Sequence, residues 1–234
     1  TQDATGSLGA LPLWHLELVL EVWGERYRAL GEHPAIEYVF PFENRGVEVG
    51  VTLHHPHGQI YAYPFVPPVA ARRSRLEEEH LARHGRGLLE VFLERELAEG
   101  IRVLYASDEA AAFVPVCARF PYEVWVAPRR RVPSLAELSA AERRELARAL
   151  QTALRKYDAL WDRPLPYMLV VYQAPTDGAP HPEAHVQVEL YPVYRMPGRL
   201  KYLAGSETGA GVFTADTLPE ATAQELRAVE VRLG

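Results

Sequence analysis

An internal repeat constrains the fold of this chain more than any other feature of its 234 residues. Two passages match at a constant shift of about 130 residues, and no insertion separates the matched positions. The matched pairs are Tyr27 with Tyr157, Leu30 with Leu160, Pro34 with Pro164, His55 with His185, His57 with Gln187, and Gln59 with Glu189. Self-similarity at a fixed shift indicates two copies of one structural unit.

The local patterns predict the elements of these units. From Leu13 to Leu30 apolar residues recur at steps of three and four, which predicts an amphipathic helix that Gly31 and Pro34 end. A capping box at residues 139–142 predicts the start of a matching helix. Strand-like runs cover residues 36–42, 60–65, 102–105, 111–116, 122–127, 167–172 and 184–191. We therefore expect an α+β fold of antiparallel sheets with helices packed on one face.

The two copies differ at their N-terminal ends. In the second copy a three-strand meander at 102–127 precedes the helix, and subtracting the shift places the equivalent strands before Thr1. We expect the first unit to lack its N-terminal strands. Either an upstream segment is absent from this molecule, or this is a shortened variant that finds those strands elsewhere. The predicted boundary assigns residues 1–75 to the first unit and 76–234 to the second.

The sequence His-His-Pro-His-Gly-Gln at residues 54–59 is the strongest candidate for chemistry. On an extended chain His55, His57 and Gln59 share one face. Two imidazoles could be part of a metal site, although zinc usually takes four ligands. A histidine pair can also be purely structural. All three interpretations, metal site, nucleophile and structural pair, fit the local pattern.

The nucleophile interpretation rests on the chemistry of imidazole. A neutral ring is available near its ordinary pKa of about 6.5, and attack on phosphorus would form a phosphoramidate intermediate. Gly58 leaves room for a phosphate, and Gln59 can donate a hydrogen bond to a phosphoryl oxygen. In the second copy Gln187 replaces His57, and an amide cannot act as this nucleophile.

Composition excludes several classes of protein. A net charge of −6 and a pI near 5.9 argue against a nucleic-acid partner. No apolar run approaches the roughly 18–20 residues of a membrane span, and the first residues lack the pattern of a secretory signal, so we expect a soluble protein. The single cysteine, Cys117, excludes a disulfide framework within this chain and is expected to be a buried apolar residue.

Several segments in order resemble galactose-1-phosphate uridylyltransferases, the branch of the histidine-triad superfamily with the pattern His-x-His-x-Gln. The segments are ENRG at 43–46, HPHGQIYA at 55–62, AHVQVELYP at 184–192 and RLKYLAGSE at 199–207. The resemblance implies two histidine-triad-like units per chain. It also implies a double displacement that moves UMP from UDP-glucose to galactose 1-phosphate, in galactose metabolism.

The resemblance assigns roles to individual residues. His57 would carry the uridylyl group and Gln59 would hold the transferred phosphoryl group. The residues that match positions contacting the uridylyl moiety are Asn44, Gly50 and Thr52, and those that match the hexose-binding segment of the second unit are Lys201, Tyr202 and Glu207. The implied partners are UDP-glucose, UDP-galactose, hexose 1-phosphates and a second copy in a cytoplasmic homodimer, with no nucleic acid or membrane.

The metal sites of related enzymes are only partly represented. The resemblance implies a structural zinc held by two cysteines, a further histidine and the residue matching His55. The cysteine region has no counterpart here, and the further histidine is matched by Ala4. A second metal site in some members is matched by Arg73, Tyr172, Gln187 and Glu189, so no iron site is expected.

Two other functions are consistent with the same residues. One is a shortened, non-catalytic module that binds sugar nucleotides. The other is a related enzyme that transfers adenylyl rather than uridylyl groups.

Overall fold

The computed structural model describes residues 4–53, 55–161 and 163–232. The helices are α1 Leu13–Gly31, α2 Pro68–His84, α3 Leu88–Glu99, α4 Ala140–Ala159 and α5 Pro219–Ala228. The strands are β1 Tyr38–Arg45, β2 Gly58–Tyr63, β3 Val103–Ala106, β4 Ala110–Phe113, β5 Val124–Pro128, β6 Tyr167–Tyr172, β7 Gln187–Pro192, β8 Tyr194–Met196 and β9 Arg199–Leu200.

Seven strands form one antiparallel sheet in the order β2-β1-β6-β7-β5-β4-β3, while β8 and β9 form a separate hairpin. The antiparallel meander expected at 102–127 is confirmed as β3, β4 and β5. β2 lies at one edge of the sheet and pairs with only β1 among the described strands. The fold class expected from sequence, α+β with antiparallel strands, is confirmed.

The sequence repeat is visible in the order of the elements. α1, β1 and β2 in the first copy correspond to α4, β6 and β7 in the second. The two copies meet where β1 pairs antiparallel with β6, so one sheet runs through both. The predicted boundary after residue 75 falls within α2, and both that boundary and the absence of N-terminal strands from the first unit stay predictions.

The main core lies between one face of the sheet and the pair α1 and α4, which pack against each other. α4 begins at the predicted capping box, in which the Ser139 hydroxyl accepts from the Glu142 N–H. Fully buried leucines at positions 16, 20, 146, 150 and 154 fill the space between helices and sheet. Each such side chain contributes about 1.5–3 kcal/mol through apolar burial.

The expectation that all helices pack on one face is wrong for α3. Leu89 and Leu93 of α3 form a second cluster with Ala111, Phe113 and Ala127. Successive strand residues point to opposite faces, and the neighbouring residues of β4 belong to the main core. α3 therefore covers the other side of the sheet, because β4 and β5 are apolar on both faces.

Two strand boundaries differ from the sequence prediction. β1 continues to Arg45, because its last four residues pair with β6. β2 begins only at Gly58. His55 and His57 therefore precede the strand, and the intervening Pro56 has no N–H to donate to a strand ladder. The predicted alignment of His55, His57 and Gln59 on one strand face is accordingly not observed, and His54 lies outside the described residues.

Cys117 also differs from expectation, since it is exposed rather than buried. It lies in a turn beyond the end of β4 at Phe113, where Pro115 ends the extended run. None of the described helices is both long enough and apolar enough to cross a membrane.

Candidate active site

His57 lies where two cavities meet. The first, of about 320 Å³, lies against α1 and is lined by His15, Leu18 and Trp23 among others. The second, of about 270 Å³, is bounded by the end of β1 with the loop that follows it, at 43–53, and by the loop at 163–166. Glu43, Pro56 and His57 line both. Together the cavities lie within the range of about 300–1,000 Å³ that is typical of small-molecule sites.

A single hydrogen bond determines which nitrogen of His57 is available. The Nδ1 atom lies 2.7 Å from the backbone carbonyl oxygen of His55. A carbonyl oxygen can only accept a hydrogen bond, so Nδ1 carries the proton. In the neutral ring the lone pair is then on Nε2. His57 is exposed, so Nε2 is available to a ligand that enters the cavities.

Glu43 was not identified from the sequence, although it lies beside the histidine cluster. Its side chain is 5% exposed and accepts a hydrogen bond of 3.0 Å from the Tyr167 hydroxyl. Burial raises the pKa of Glu43 to about 7, against opposing contributions from Tyr167, Arg45 and His57. The sequence feature that could have identified Glu43 is a carboxylate next to an apolar strand-like run, because a charged group is costly to bury.

Two arginines of the second cavity were also missed. Arg45 forms an ion pair of 2.5 Å with Asp158, and Arg163 lies 3.5 Å from Glu48 and stacks over the Tyr194 ring. Guanidinium groups suit phosphate recognition because they present several donors in one plane. This cavity therefore places two guanidinium groups, each paired with a carboxylate, beside His57.

The residues predicted to contact the uridylyl moiety are only partly brought to this cavity. Asn44 lines it. Gly50 and Thr52 lie on the adjoining loop, but their neighbours Val51 and Leu53 are the residues that line the cavity. Gly50 has a φ of +84°, a backbone conformation that favours glycine.

Gln59 lies in β2 opposite Phe42. Glu43 follows Phe42 in β1, so the side chains of Gln59 and Glu43 point to opposite faces of the sheet. Gln59 is not among the described residues that line the two cavities.

The predicted hexose-binding residues lie in the segment that follows β9. Lys201 is buried and bonds Asp216 at 2.6 Å and the Thr214 carbonyl at 2.7 Å. Hydrogen bonds from Thr214 lower the pKa of the Glu207 carboxyl, which also accepts from the Ala204 N–H. Tyr202 is 77% exposed. None of the three lines the cavities at His57.

The matching positions of the second copy form a closed structural site. His185 is buried and its Nε2–H donates to the Pro128 carbonyl at 2.8 Å. Burial lowers the pKa of His185 to about 4, so the ring is neutral. Gln187 and Glu189 are completely buried in β7. This copy therefore contributes packing, whereas the first copy opens its histidine to the cavities.

Comparison with known proteins identifies the family. Residues 2–67 match the N-terminal domain of galactose-1-phosphate uridyl transferase, and residues 73–230 match its C-terminal domain. A galactose-1-phosphate uridylyltransferase from Thermotoga maritima is 40% identical over 240 residues, which covers 100% of this chain and 73% of the relative. The chain belongs to the galactose-1-phosphate uridylyltransferase family.

Other members of the galactose-1-phosphate uridylyltransferase family show how much of a typical member this chain represents. The relative from Streptomyces lividans is 43% identical over 179 residues, 75% of this chain and 50% of that protein. A solved uridylyltransferase structure superimposes with a TM-score of 0.90 at 36% identity, covering 97% of this chain and 72% of that one. The chain thus spans about half to three quarters of these relatives.

The residues matching the second metal site do not fit a metal ion. Arg73 donates to Glu189 at 2.6 Å and lies 4.5 Å from the Tyr172 ring centre, while Gln187 also donates to Glu189. Arg119 adds a second contact of 3.1 Å to Glu189. The carboxylate is therefore already neutralised by guanidinium groups, which would repel a cation.

The zinc site is incomplete in the described part of the chain. No group of three or more His, Cys, Asp or Glu side chains there is arranged to hold a metal ion. His55 is partly buried and Ala4, which matches a further zinc ligand, is exposed and has no donor atom in its side chain. Zinc binding stays an untested expectation, and we derive no chemical step through a metal.

Replacing Glu43 with Gln should stabilise the fold above neutral pH. Because the folded-state pKa is raised to about 7, the folded chain binds this proton more tightly than the unfolded chain. Stability is then lost as pH rises from about 4.5 to about 7 and stays low above that. We expect Glu43→Gln to recover up to about 3 kcal/mol at pH 8 and almost none at pH 4.5.

Urea unfolding of both proteins at the two pH values measures this difference. Glu25→Gln, on the exposed face of α1, is the matched control and should show no such gain. A Glu43→Gln variant that is equally or less stable than the wild type at pH 8 would contradict the assignment of a costly buried carboxylate.

Proposed function

We propose that this chain exchanges UMP between UDP-glucose and galactose 1-phosphate through a covalent uridylyl adduct on His57. The observation that carries the proposal is the His57 ring, whose Nδ1 is bound to the His55 carbonyl and whose Nε2 is free at the junction of two cavities. Membership of the galactose-1-phosphate uridylyltransferase family supports the choice of substrates.

The first step forms a bond between Nε2 of His57 and the α-phosphorus of UDP-glucose. The bond between that phosphorus and the bridging oxygen breaks, and its electron pair leaves with glucose 1-phosphate. In the second step a phosphate oxygen of galactose 1-phosphate attacks the same phosphorus. The P–N bond breaks, its electron pair returns to Nε2, and UDP-galactose is formed.

The second cavity is suited to the diphosphate and nucleoside portion of the substrate. Arg45 and Arg163 provide guanidinium donors there, and Asn44 provides an amide. We assign the uridylyl moiety to Asn44 and the loop that carries Gly50 and Thr52. We also assign Gln59, two residues after His57, to hold the transferred phosphoryl group as charge develops on its oxygens. Because Gln59 lines neither cavity, this assignment is supported only by membership of the family.

Hexose binding is assigned to Lys201, Tyr202 and Glu207. Since these residues do not line the cavities at His57, we propose that a second copy supplies them in a homodimer. The exposed Tyr202 is free to contact such a partner. Phosphorylated sugars are charged and do not cross a lipid bilayer unaided. We therefore also propose that the protein acts in the cytoplasm.

His57→Ala should abolish both adduct formation and exchange, because no other group replaces the attacking nitrogen. Intact-mass spectrometry of native protein mixed with UDP-glucose should show one added UMP on the wild type and none on the variant. His84→Ala, at an exposed position on α2, should behave as wild type.

Two further measurements, used with the adduct experiment, separate the alternative functions. UDP-glucose binding by calorimetry, without an adduct on folded wild-type protein, would contradict the proposal and favour a non-catalytic module. Preferential AMP transfer when ADP-glucose competes with UDP-glucose would instead indicate an adenylyltransferase.

The proposed dimer predicts that two defective copies complement each other. A mixture of His57→Ala and Tyr202→Ala chains should exchange UMP faster than either variant alone, because a mixed dimer contains one intact composite site. Light scattering should give twice the chain mass of 26.3 kDa. An active monomer, or a mixture no faster than its components, would contradict this arrangement.

A further inference from the structure

We propose that Glu43 is a positioning residue whose carboxylate balances the positive charge that the His57 ring acquires in the covalent intermediate. This inference rests on the proposed function, because it concerns the adduct formed in the first step. It assigns a role to a buried side chain to which the sequence analysis gave none.

The placement of Glu43 is the first observation. It lies in β1 directly opposite Gly58, the residue that follows His57. Glu43 and His57 line both of the cavities that meet at the ring. A side chain at Gly58 would meet the Trp23 ring at 3.2 Å and the Phe42 carbonyl at 3.3 Å. Glycine at this position therefore lets the strand that begins beside His57 lie close to α1 and β1.

The internal repeat provides the second observation. Glu43 lies opposite Gly58 in β2, and Val188, which matches Gly58 at the shift of 130 residues, lies opposite Val171 of β6. Val171 is apolar and completely buried. An apolar side chain is thus sufficient where the position has only a packing role. The carboxyl group occurs in the copy that also has the histidine nucleophile.

The chemistry of the adduct supplies the reason for a carboxylate. When Nε2 of His57 bonds to phosphorus, Nδ1 keeps its proton because it donates to the His55 carbonyl. The ring then carries a formal positive charge until the P–N bond breaks. A nearby carboxylate stabilises this charge. Because the carboxylate is buried, the electrostatic interaction is stronger than it would be in water.

A permanently ionised carboxylate would also repel the anionic diphosphate during binding. Burial raises the pKa of Glu43 to about 7. The group can therefore be protonated when the substrate arrives and release its proton to solvent through the open cavity as the ring becomes cationic. An amide at this position could not respond in this way.

Several other charged or titratable groups surround this pair. Those that contact Glu43, influence its ionisation or line the shared cavities are His15, Arg45, Glu48, His55, Asp158, Arg163 and Tyr167. Of these, Tyr167 and Arg45 favour the ionised form of Glu43, and Asp158 opposes it. Glu43 and His57 are the only described ionisable groups that line both cavities.

Glu43→Gln tests the inference while keeping the shape of the side chain and an acceptor for the Tyr167 hydroxyl. The measurement is the single-turnover rate of UMP attachment at saturating UDP-glucose, followed by quenched intact-mass spectrometry. We expect the variant to be slower by about tenfold or more above pH 8, since charge stabilisation of a reacting group commonly has effects of this size or larger.

The pH profile distinguishes an electrostatic role from a structural one. Protonation of Glu43, whose pKa is raised to about 7 by burial, removes its charge, so the wild-type rate should fall by about tenfold relative to that of Glu43→Gln as the pH is lowered from about 8 to about 5. The amide of the variant does not ionise, so its slope of log rate against pH should be shallower over this interval.

Glu123→Gln is the matched control, because Glu123 is also buried but directly precedes β5, which lies three strands from β1 in the sheet. Its adduct rate and slope should equal those of wild type. Equal rates and slopes in Glu43→Gln and wild type would overturn this inference and leave the proposed function intact. Absence of an adduct on wild type would overturn both.

Discussion

The antiparallel pairing of β1 with β6 is the interaction on which the rest of the structure depends. It joins the two repeat copies into one sheet and provides the surface on which α1 and α4 pack. Its register places Arg45 opposite Tyr167 and brings the Tyr167 hydroxyl to the buried Glu43 carboxyl. The candidate site therefore combines side chains of the first copy with supporting groups of the second.

The two copies have diverged from one scaffold into different tasks. In the second copy His185 is buried against the Pro128 carbonyl, and Glu189 is held between arginines. In the first copy the matching edge strand β2 is partly exposed, and the loop that precedes it presents His57 to solvent. In the proposed function the fully paired copy supports the sheet, and the open copy supplies the reactive group.

Local sequence patterns were sufficient for much of this architecture. The periodicity of α1, the capping box of α4 and the bounds of β6 at 167–172 all agree with the structure. Short-range signals carry this information, because helix periodicity and end caps depend on residues within a few positions of each other. The repeat then located the histidine cluster within the fold.

The details of the site depended on long-range contacts that local patterns do not encode. Asn44, Arg45 and Gly46 have the composition of a turn, yet pairing with β6 extends β1 to Arg45 and buries Glu43. Arg163 reaches the second cavity from beyond α4. The hydrogen bond between the His57 ring and the His55 carbonyl depends on the path of the chain through Pro56 before β2 begins. Side-chain alternation along an ideal strand does not predict this path.

The central claim is that one ring nitrogen carries the transferred group between two displacements, and the stereochemistry at phosphorus tests it most directly. Each in-line displacement inverts the configuration, so two successive steps retain it. Exchange with UDP-glucose that carries a chiral α-phosphorothioate should give UDP-galactose of unchanged configuration, read by phosphorus NMR. Inversion at the α-phosphorus would show a single direct transfer and contradict the adduct on His57.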